Sequence, residues 1–327
     1  MLPPPVVRVS AEVRRRHKLR NLVHSLLLLL GMAFVLAVTG RALWGPEGAW
    51  WTVAGGLLAF LLSPTVPPEW VMRMYGARPL RPAEAPELHA VVAELARRAE
   101  LPRPPALWWV PSPILNAFAV GTPERAAVAV TDGILRTLTL RELTGVLAHE
   151  VSHIRNRDLW LMQLADAMSR FVSLLSWFGQ LLLLVNLPLH LTGRAVYPWV
   201  EVLVMVFAPT LMALLQLALS RAREFDADLD AAGLTGDPLA LAAALEKLER
   251  HQGRFWEEIL FPGRRIPEPS LLRTHPPTEE RIRRLLDLAR AGPSPLSGWD
   301  LPERPRLPDG LPPVFGPPRF RRYGFWY

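Results

Sequence analysis

The sequence predicts a mostly α-helical integral membrane protein of about four transmembrane helices, with an α+β domain that carries a small β-sheet. Half of the 327 residues are hydrophobic, and the mean hydropathy is positive at +0.17. The apolar excess lies in four stretches, and roughly twenty apolar residues span a bilayer core. Between the second and third stretches, the pattern changes to amphipathic helices and short strands, which is typical of a water-exposed domain.

The four apolar stretches are the predicted spans, at about 22–43, 50–66, 171–191 and 197–219. The second is short and ends at Ser63 and Pro64, so a re-entrant segment is the alternative there. The third could instead be a buried core helix. The first is too long for a cleavable signal peptide and lacks a small-residue cleavage site, so we expect a signal anchor.

Arginine and lysine flank these spans unevenly. They cluster before the first span, after the second, before the third and after the fourth, whereas the connections within the two hairpins carry only Arg41 and Arg194. The positive-inside rule therefore predicts that both termini and the domain face the cytoplasm. Basic residues beside the spans meet anionic headgroups. No nucleic-acid motif accompanies them, so nucleic acid is not an expected partner.

The spans divide the chain into six predicted segments. These are a basic tail (1–21), a transmembrane hairpin (22–66), the first part of the domain (67–170), a second hairpin (171–219), the second part of the domain (220–291) and a Pro-rich tail (292–327). The Pro-rich tail is predicted to be extended or disordered, or to rest on the membrane through its aromatic, basic end. The absence of cysteine excludes disulfides and thiolate ligands.

The domain is predicted to combine helices with a small sheet. Apolar residues recur at helical spacing in 84–100, and two further helices are predicted at 238–251 and 279–291. Three short strands are predicted at 106–110, 116–120 and 126–131. We expect this sheet to lie beside a buried helix that begins near Leu140.

That buried helix carries an H-E-x-x-H motif, formed by His149, Glu150 and His153. Residues four apart share one face of a helix, so the two imidazoles can bind one metal ion. Zinc accepts imidazole nitrogen and lowers the pKa of a bound water, from which Glu150 could take a proton. The alternative is a pair of ordinary helix histidines beside a solvated glutamate.

A third metal ligand must come from elsewhere, because a catalytic zinc usually has three protein ligands. A histidine six residues beyond His153 would be the simplest, but Leu159 occupies that position. Glu224 and Asp228 lie one helical turn apart, so one carboxylate could bind the metal and the other could orient a ligand histidine. An ordinary solvated acidic face remains the alternative.

Five ordered motifs in this chain resemble those of the HtpX-type membrane zinc metalloproteases, which are related to the CAAX prenyl proteases. The motifs are Asn116–Gly121, Ala129–Leu135, Glu142–Asp158, Ser220–Asp228 and Thr274–Ile282. The resemblance extends from about the first span to about Leu288. Its departures, at Pro277 and in the turn at 122–124, are loop variation.

The resemblance implies a zincin-type domain that binds one Zn²⁺ per chain. His149, His153 and Glu224 would be the zinc ligands, and Asp228 would contact a ligand histidine through its second ring nitrogen. Glu150 would act as the general base and later as the acid.

The resemblance also assigns residues to the substrate. His275 and Arg281 would face the site and help to hold the oxyanion, whereas the alternative is a helix-capping loop with a solvated arginine. An edge strand would pair with an extended peptide through its open N–H and C=O groups. Its residues are Asn116, Ala117, Phe118 and Ala119.

The implied function is membrane-bound endopeptidase activity in the bacterial inner membrane, with the catalytic domain in the cytoplasm. The expected substrates are polypeptides, chiefly membrane or misfolded proteins in quality control, with prenyl-cysteine peptides as an alternative. An intramembrane zinc protease would need the motif inside a span, but Arg155 and Arg157 follow it closely. A scaffold with a dead protease domain would be expected to lack a ligand or the base.

Overall fold

The computed structural model describes residues 11–62, 67–192, 198–260 and 278–290. The predicted site residue His275 and the predicted Pro-rich tail lie outside these ranges. The helices are α1 (Ala11–Leu61), α2 (Pro68–Met74), α3 (Pro86–Arg98), α4 (Asp132–Thr137), α5 (Leu140–Arg155), α6 (Asp158–Leu191), α7 (Trp199–Thr235), α8 (Pro238–Leu260) and α9 (Thr278–Arg290). The strands are β1 (Arg78–Pro79), β2 (Ala106–Val110), β3 (Ala117–Thr122) and β4 (Arg125–Thr131).

The chain divides into two compact units. One contains Val66–Leu159 and the chain from Arg223 onward, and the other contains His17–Thr65 and Trp160–Ala222. The first unit holds the sheet and the H-E-x-x-H helix α5. The second consists of the apolar parts of α1, α6 and α7.

Helix α1 is interrupted where the first two spans were predicted to meet. Trp44 and Gly45 leave the helical conformation, and Gly45 has φ +72°, which glycine adopts readily. Thr52 Oγ1 donates to Leu36 O at 3.2 Å, although sixteen residues of straight helix would separate them by about 24 Å. The chain therefore folds back on itself as a helical hairpin.

Two glycines allow the halves of this hairpin to approach closely. A Cβ on Gly40 would lie 2.4 Å from Gly48 O, and one on Gly48 would lie 2.2 Å from Gly40 O. Small residues commonly permit such backbone contact between membrane helices.

Three helices in the described ranges are long and apolar enough to cross a membrane: Leu22–Leu61, Asp158–Leu189 and Trp199–Thr235. The first contains the first predicted span and residues 50–61 of the second, so two predicted spans fall in one continuous helix assignment. Apolar side chains on α6 remain exposed, as at Trp177 (74 %) and Leu184 (71 %). This exposure argues against the alternative that the third predicted span is a buried core helix.

Helices α6 and α7 form the second predicted hairpin. Ser169 Oγ donates to Gln216 Oε1 at 2.8 Å, and Ser176 Oγ donates to Met205 O at 2.6 Å. The two contacts run in opposite directions along the two helices, so the helices are antiparallel. Internal hydrogen bonds of this kind satisfy hydroxyl groups that lipid cannot.

The four-stranded sheet has the order β1-β2-β4-β3, with β2 parallel to β4 and the other pairs antiparallel. The predicted strands are therefore confirmed, and β3 lies at an edge. The main core packs α3 and α5 against one face of the sheet. A smaller cluster around the fully buried Met72 of α2 covers the other face. This architecture confirms the predicted fold class, a mostly helical membrane protein with a small sheet.

Candidate metal centre

The N-terminal end of α5 is fixed by a capping box. Thr139 Oγ1 accepts a hydrogen bond from the Glu142 amide at 3.2 Å, and Glu142 Oε2 accepts one from the Thr139 amide at 2.8 Å. Lys247 of α8 also donates to Glu142 Oε2 at 2.7 Å. These contacts fix the start of α5, and the i, i+4 spacing puts His149 and His153 on one face near its other end.

The two histidine rings point a nitrogen at each other. His149 Nε2 and His153 Nε2 are 3.1 Å apart, and the rings are nearly perpendicular at 87°. The Nδ1 atom of each ring lies within hydrogen-bond distance of a carboxylate, 3.0 Å from Asp228 Oδ1 and 2.9 Å from Asp158 Oδ2. If both Nδ1 atoms carry protons, two Nε2 lone pairs converge on the same point, an arrangement that a cation would stabilise.

Glu224 of α7 completes a three-residue cluster around that point. Its Oε2 is 3.4 Å from His149 Nε2, and its Oε1 is 3.8 Å from His153 Nε2. One atom from each residue lies within 4.8 Å of the others. Ligand atoms that bind zinc at 2.0–2.2 Å in a tetrahedron lie about 3.4 Å apart. The donor set and its spacing therefore fit a zinc ion.

Asp158, to which the sequence patterns assign no role, occupies a position equivalent to that of Asp228. Both carboxylates are buried, and each contacts the Nδ1 of one of the two clustered histidines. Asp158 follows Arg157, whose φ of +56° reverses the chain just after α5 ends. Helical periodicity does not extend through such a turn, so spacing alone could not assign Asp158. A carboxylate five residues after the second histidine was its only sequence signal.

An arginine holds each of these two carboxylates. Arg281 is 7 % exposed and donates to Asp228 through Nε at 2.7 Å and Nη2 at 2.6 Å, while its Nη1 lies 3.1 Å from Glu224 Oε2. Arg223 Nη1 lies 3.5 Å from Asp158 Oδ1. The structure thus brings Arg281 into the cluster, beside Glu224 and Asp228.

Glu150 is half-buried and is not one of the three clustered residues. Burial raises the pKa of its carboxyl group, and the charge of Glu224 raises it further. The nearby His149 and His153 and a hydrogen bond from the Ala119 amide act in the opposite direction, but the net pKa is above the ordinary value. A raised pKa brings a carboxylate closer to the range in which it can both accept and return a proton at neutral pH.

The pKa of His149 is also displaced from its ordinary value. Burial lowers it, but hydrogen bonds to Asp228 and Glu224 outweigh burial and raise the pKa to about 10. A metal ion that binds the Nε2 atom must therefore displace a proton from this ring.

Strand β3 lies at the edge of the sheet, with no further strand of the described residues on its outer side. Asn116 O accepts a hydrogen bond from the Thr131 amide at 3.1 Å, so the backbone C=O of Asn116 points toward β4. In an antiparallel pair, the backbone N–H and C=O groups of successive residues point alternately toward and away from the partner strand. Those of Ala117 and Ala119 therefore point away from β4. Ala119 belongs to the main core, whereas the Phe118 ring lies on the opposite face, 4.7 Å from the Tyr75 ring.

Comparisons with known proteins identify relatives of this chain. Residues 82–289 match peptidase family M48. The chain is 36 % identical over 285 residues to proteins named "Protease HtpX homolog" from Burkholderia mallei (strain SAVP1) and Burkholderia pseudomallei (strain K96243). Each alignment covers 83 % of this chain and 98 % of the relative.

A solved structure shares the fold. The crystal structure of S. mikatae Ste24p matches with a TM-score of 0.50 at 19 % sequence identity. The match covers 83 % of this chain and 66 % of that one. At this identity the likeness concerns the fold alone.

Proposed function

Since this chain belongs to peptidase family M48, we propose that it is a membrane-bound zinc endopeptidase that hydrolyses peptide bonds with water. Family membership and the three apolar helices support a membrane metalloprotease. The identity of the metal, the roles of the residues and the substrates are the proposed part.

The observation that carries the proposal is the convergence of His149 Nε2, His153 Nε2 and Glu224, with Glu150 next to the first histidine. These residues come from helices separated by about seventy positions, so the chain must fold to bring them together. Two imidazoles and one carboxylate form a ligand set known for catalytic zinc. A metal held this way retains an open position for water or substrate.

The roles of the chain's own residues follow from their positions. When bound, zinc would polarise the scissile carbonyl and lower the pKa of a water molecule. Glu150 would take a proton from the attacking water and then return it to the leaving amine nitrogen. Asp228 and Asp158 would hold the ligand histidines in the tautomer that turns Nε2 toward the metal.

Substrate binding is assigned to residues 116–119 at the open edge of β3. An extended peptide would pair with the outward N–H and C=O groups of Ala117 and with the C=O group of Ala119, since the Ala119 N–H already donates to Glu150. Backbone pairing gives affinity without selecting a sequence, which suits a peptidase of misfolded chains. We therefore propose polypeptides, mainly membrane or misfolded proteins, as the substrates.

Purified protein in lipid should hydrolyse casein, and 1,10-phenanthroline should abolish this turnover. Removal of the metal takes away the polarising charge and leaves Glu150 without an activated water. Turnover should return when zinc is added after the chelator has been removed. The non-chelating 1,7 isomer is the matched control. Full activity in metal-free protein would contradict the proposal.

Arg281 and His275 are proposed to stabilise the oxyanion. Arginine has five N–H donors, and the contacts to Asp228 and Glu224 described above use three of them, so donors remain for a substrate oxygen. The same contacts support a positioning role for Arg281 toward Glu224.

Kinetics of Arg281→Gln separate these two roles. Loss of an oxyanion donor should lower kcat by about 10²–10³ with zinc content unchanged. Arg284→Gln is a suitable control, because Arg284 lies one turn away and contacts Glu280 and the Phe225 ring instead. Reduced zinc occupancy with normal turnover per bound metal would show that Arg281 only positions the ligands.

The proposed location is the bacterial inner membrane, with the catalytic unit in the cytoplasm. Single cysteines report this directly, because the chain has none of its own. A cysteine in place of Glu47 or Thr192 should react with an impermeant maleimide outside the cell. Arg97→Cys, on the exposed face of α3, should react only after permeabilisation. Labelling of Arg97→Cys in intact cells would overturn the proposed orientation.

A further inference from the structure

The short helix α2 has one face packed on the sheet and an apolar face that points away from it. Met72 is fully buried against the sheet, and Pro68 is also buried. Trp70 is 66 % exposed and Met74 is 46 % exposed. Trp70 and Met74 are four residues apart, so they share one face. Helix α2 therefore packs on the sheet through one face and leaves the side chains of Trp70 and Met74 exposed on the other.

The position of α2 along the chain indicates what covers this face. Six residues separate Leu61, at the end of the apolar α1, from Pro68. A chain leaving a bilayer at Leu61 reaches α2 while it is still near the headgroups, because even a fully extended linker of this length covers only about 20 Å. Tryptophan is enriched at that level of a membrane.

The charges around α2 suit an anionic surface. Arg73 is exposed on the helix itself, beside the face formed by Trp70 and Met74. The acidic residue of α2, Glu69, is paired with Arg125 of β4 at 3.0 Å. The net charge of Arg73, Glu69 and Arg125 together is therefore positive. A short basic segment with an apolar face is typical of helices that lie in the plane of the membrane interface.

We propose that the face formed by Trp70, Arg73 and Met74 binds the headgroup region of an anionic lipid bilayer. Tyr75, the residue after α2, packs against Phe118 of the edge strand β3. The proposed lipid-binding helix α2 is thereby in contact, through Tyr75, with the strand β3 that would bind the substrate. A peptide segment that emerges from the bilayer would meet β3 close to the membrane surface. The lipid contact itself does not depend on the proposed peptidase function.

Site-directed fluorescence quenching tests this contact in the full-length protein. Single cysteines would replace Trp70, Met74 or, as the control, the exposed Arg97 of α3. Each variant would be labelled with NBD and reconstituted in nanodiscs containing phosphatidylglycerol, with or without a 5-doxyl phospholipid. Elution in size exclusion as for the wild-type protein would show that the variants are folded.

The expected result is a loss of about half of the NBD emission at positions 70 and 74 with the doxyl lipid, because an interfacial face lies roughly 5–10 Å into the boundary. Emission at position 97 should be unchanged, and soluble iodide should quench position 97 more than position 74. Equal doxyl quenching at 74 and 97, or equal iodide quenching at both, would overturn the proposal. Neither outcome depends on whether the protein cleaves peptides.

Discussion

Replacement of Glu150 by glutamine is expected to remove nearly all peptidase activity while the metal stays bound. Glutamine keeps the size of the side chain but cannot take a proton from water, and general-base catalysis contributes about 10²–10⁴ in rate. Metal should be retained, because the clustered ligand atoms belong to His149, His153 and Glu224.

Two quantities should be measured for this variant. One is its turnover of casein and of a membrane protein substrate, and the other is its zinc content by mass spectrometry. Glu142→Gln is the matched control, since Glu142 lies on the same helix but contacts Thr139 and Lys247 rather than the cluster. The control should lose thermal stability and keep normal turnover per bound zinc. Wild-type turnover in Glu150→Gln would refute the assigned mechanism.

Loss of Glu224 is expected to have the largest effect on metal binding. Glu224→Ala removes one of the three proposed ligands and leaves Arg281 without one of its two carboxylate partners. We expect zinc to be lost from this variant during purification. Asp228→Ala and Asp158→Asn should retain the ligands but bind zinc about 10–100-fold more weakly, because each removes a charge that orients a histidine.

Competition with a fluorescent zinc chelator measures these affinities. Asp230→Asn is the control, because Asp230 is buried on the same helix as Glu224 but accepts a hydrogen bond from Asn156 outside the cluster. Its affinity should match that of the wild-type protein. Stoichiometric, unweakened zinc binding by Glu224→Ala would mean that the third ligand lies elsewhere.

Local periodicity was enough to predict the parts of the site that lie on one element. The H-E-x-x-H spacing puts two imidazoles on one helix face, and α5 has them there. The short strands β2, β3 and β4 were likewise predicted to within two residues. These features depend on residues that are close in the sequence, so a local sequence pattern can predict them.

Features that depend on tertiary contacts were harder to predict from the sequence. Spacing alone left Glu224 open as the third ligand, because a partner seventy residues away has no periodic relation to α5. The one-turn spacing of Glu224 and Asp228 made both carboxylates candidates, the family resemblance singled out Glu224, and the structure has Glu224 beside both histidines. Asp158 was missed for a related reason, since the reversed backbone at Arg157 takes it out of the helical register. Helix α2 was also missed, because seven residues are too few for a periodic signal.

Zinc titration of the metal-free protein tests the central claim most directly. Turnover should rise in proportion to bound zinc and saturate at one ion per chain. X-ray absorption at the zinc edge of the saturated protein should give two imidazole nitrogens at 2.0–2.1 Å and carboxylate oxygen at about 2.0–2.2 Å. Zinc that binds without restoring turnover, or a ligand shell without imidazole, would contradict the assignment of His149, His153 and Glu224 as the catalytic metal site.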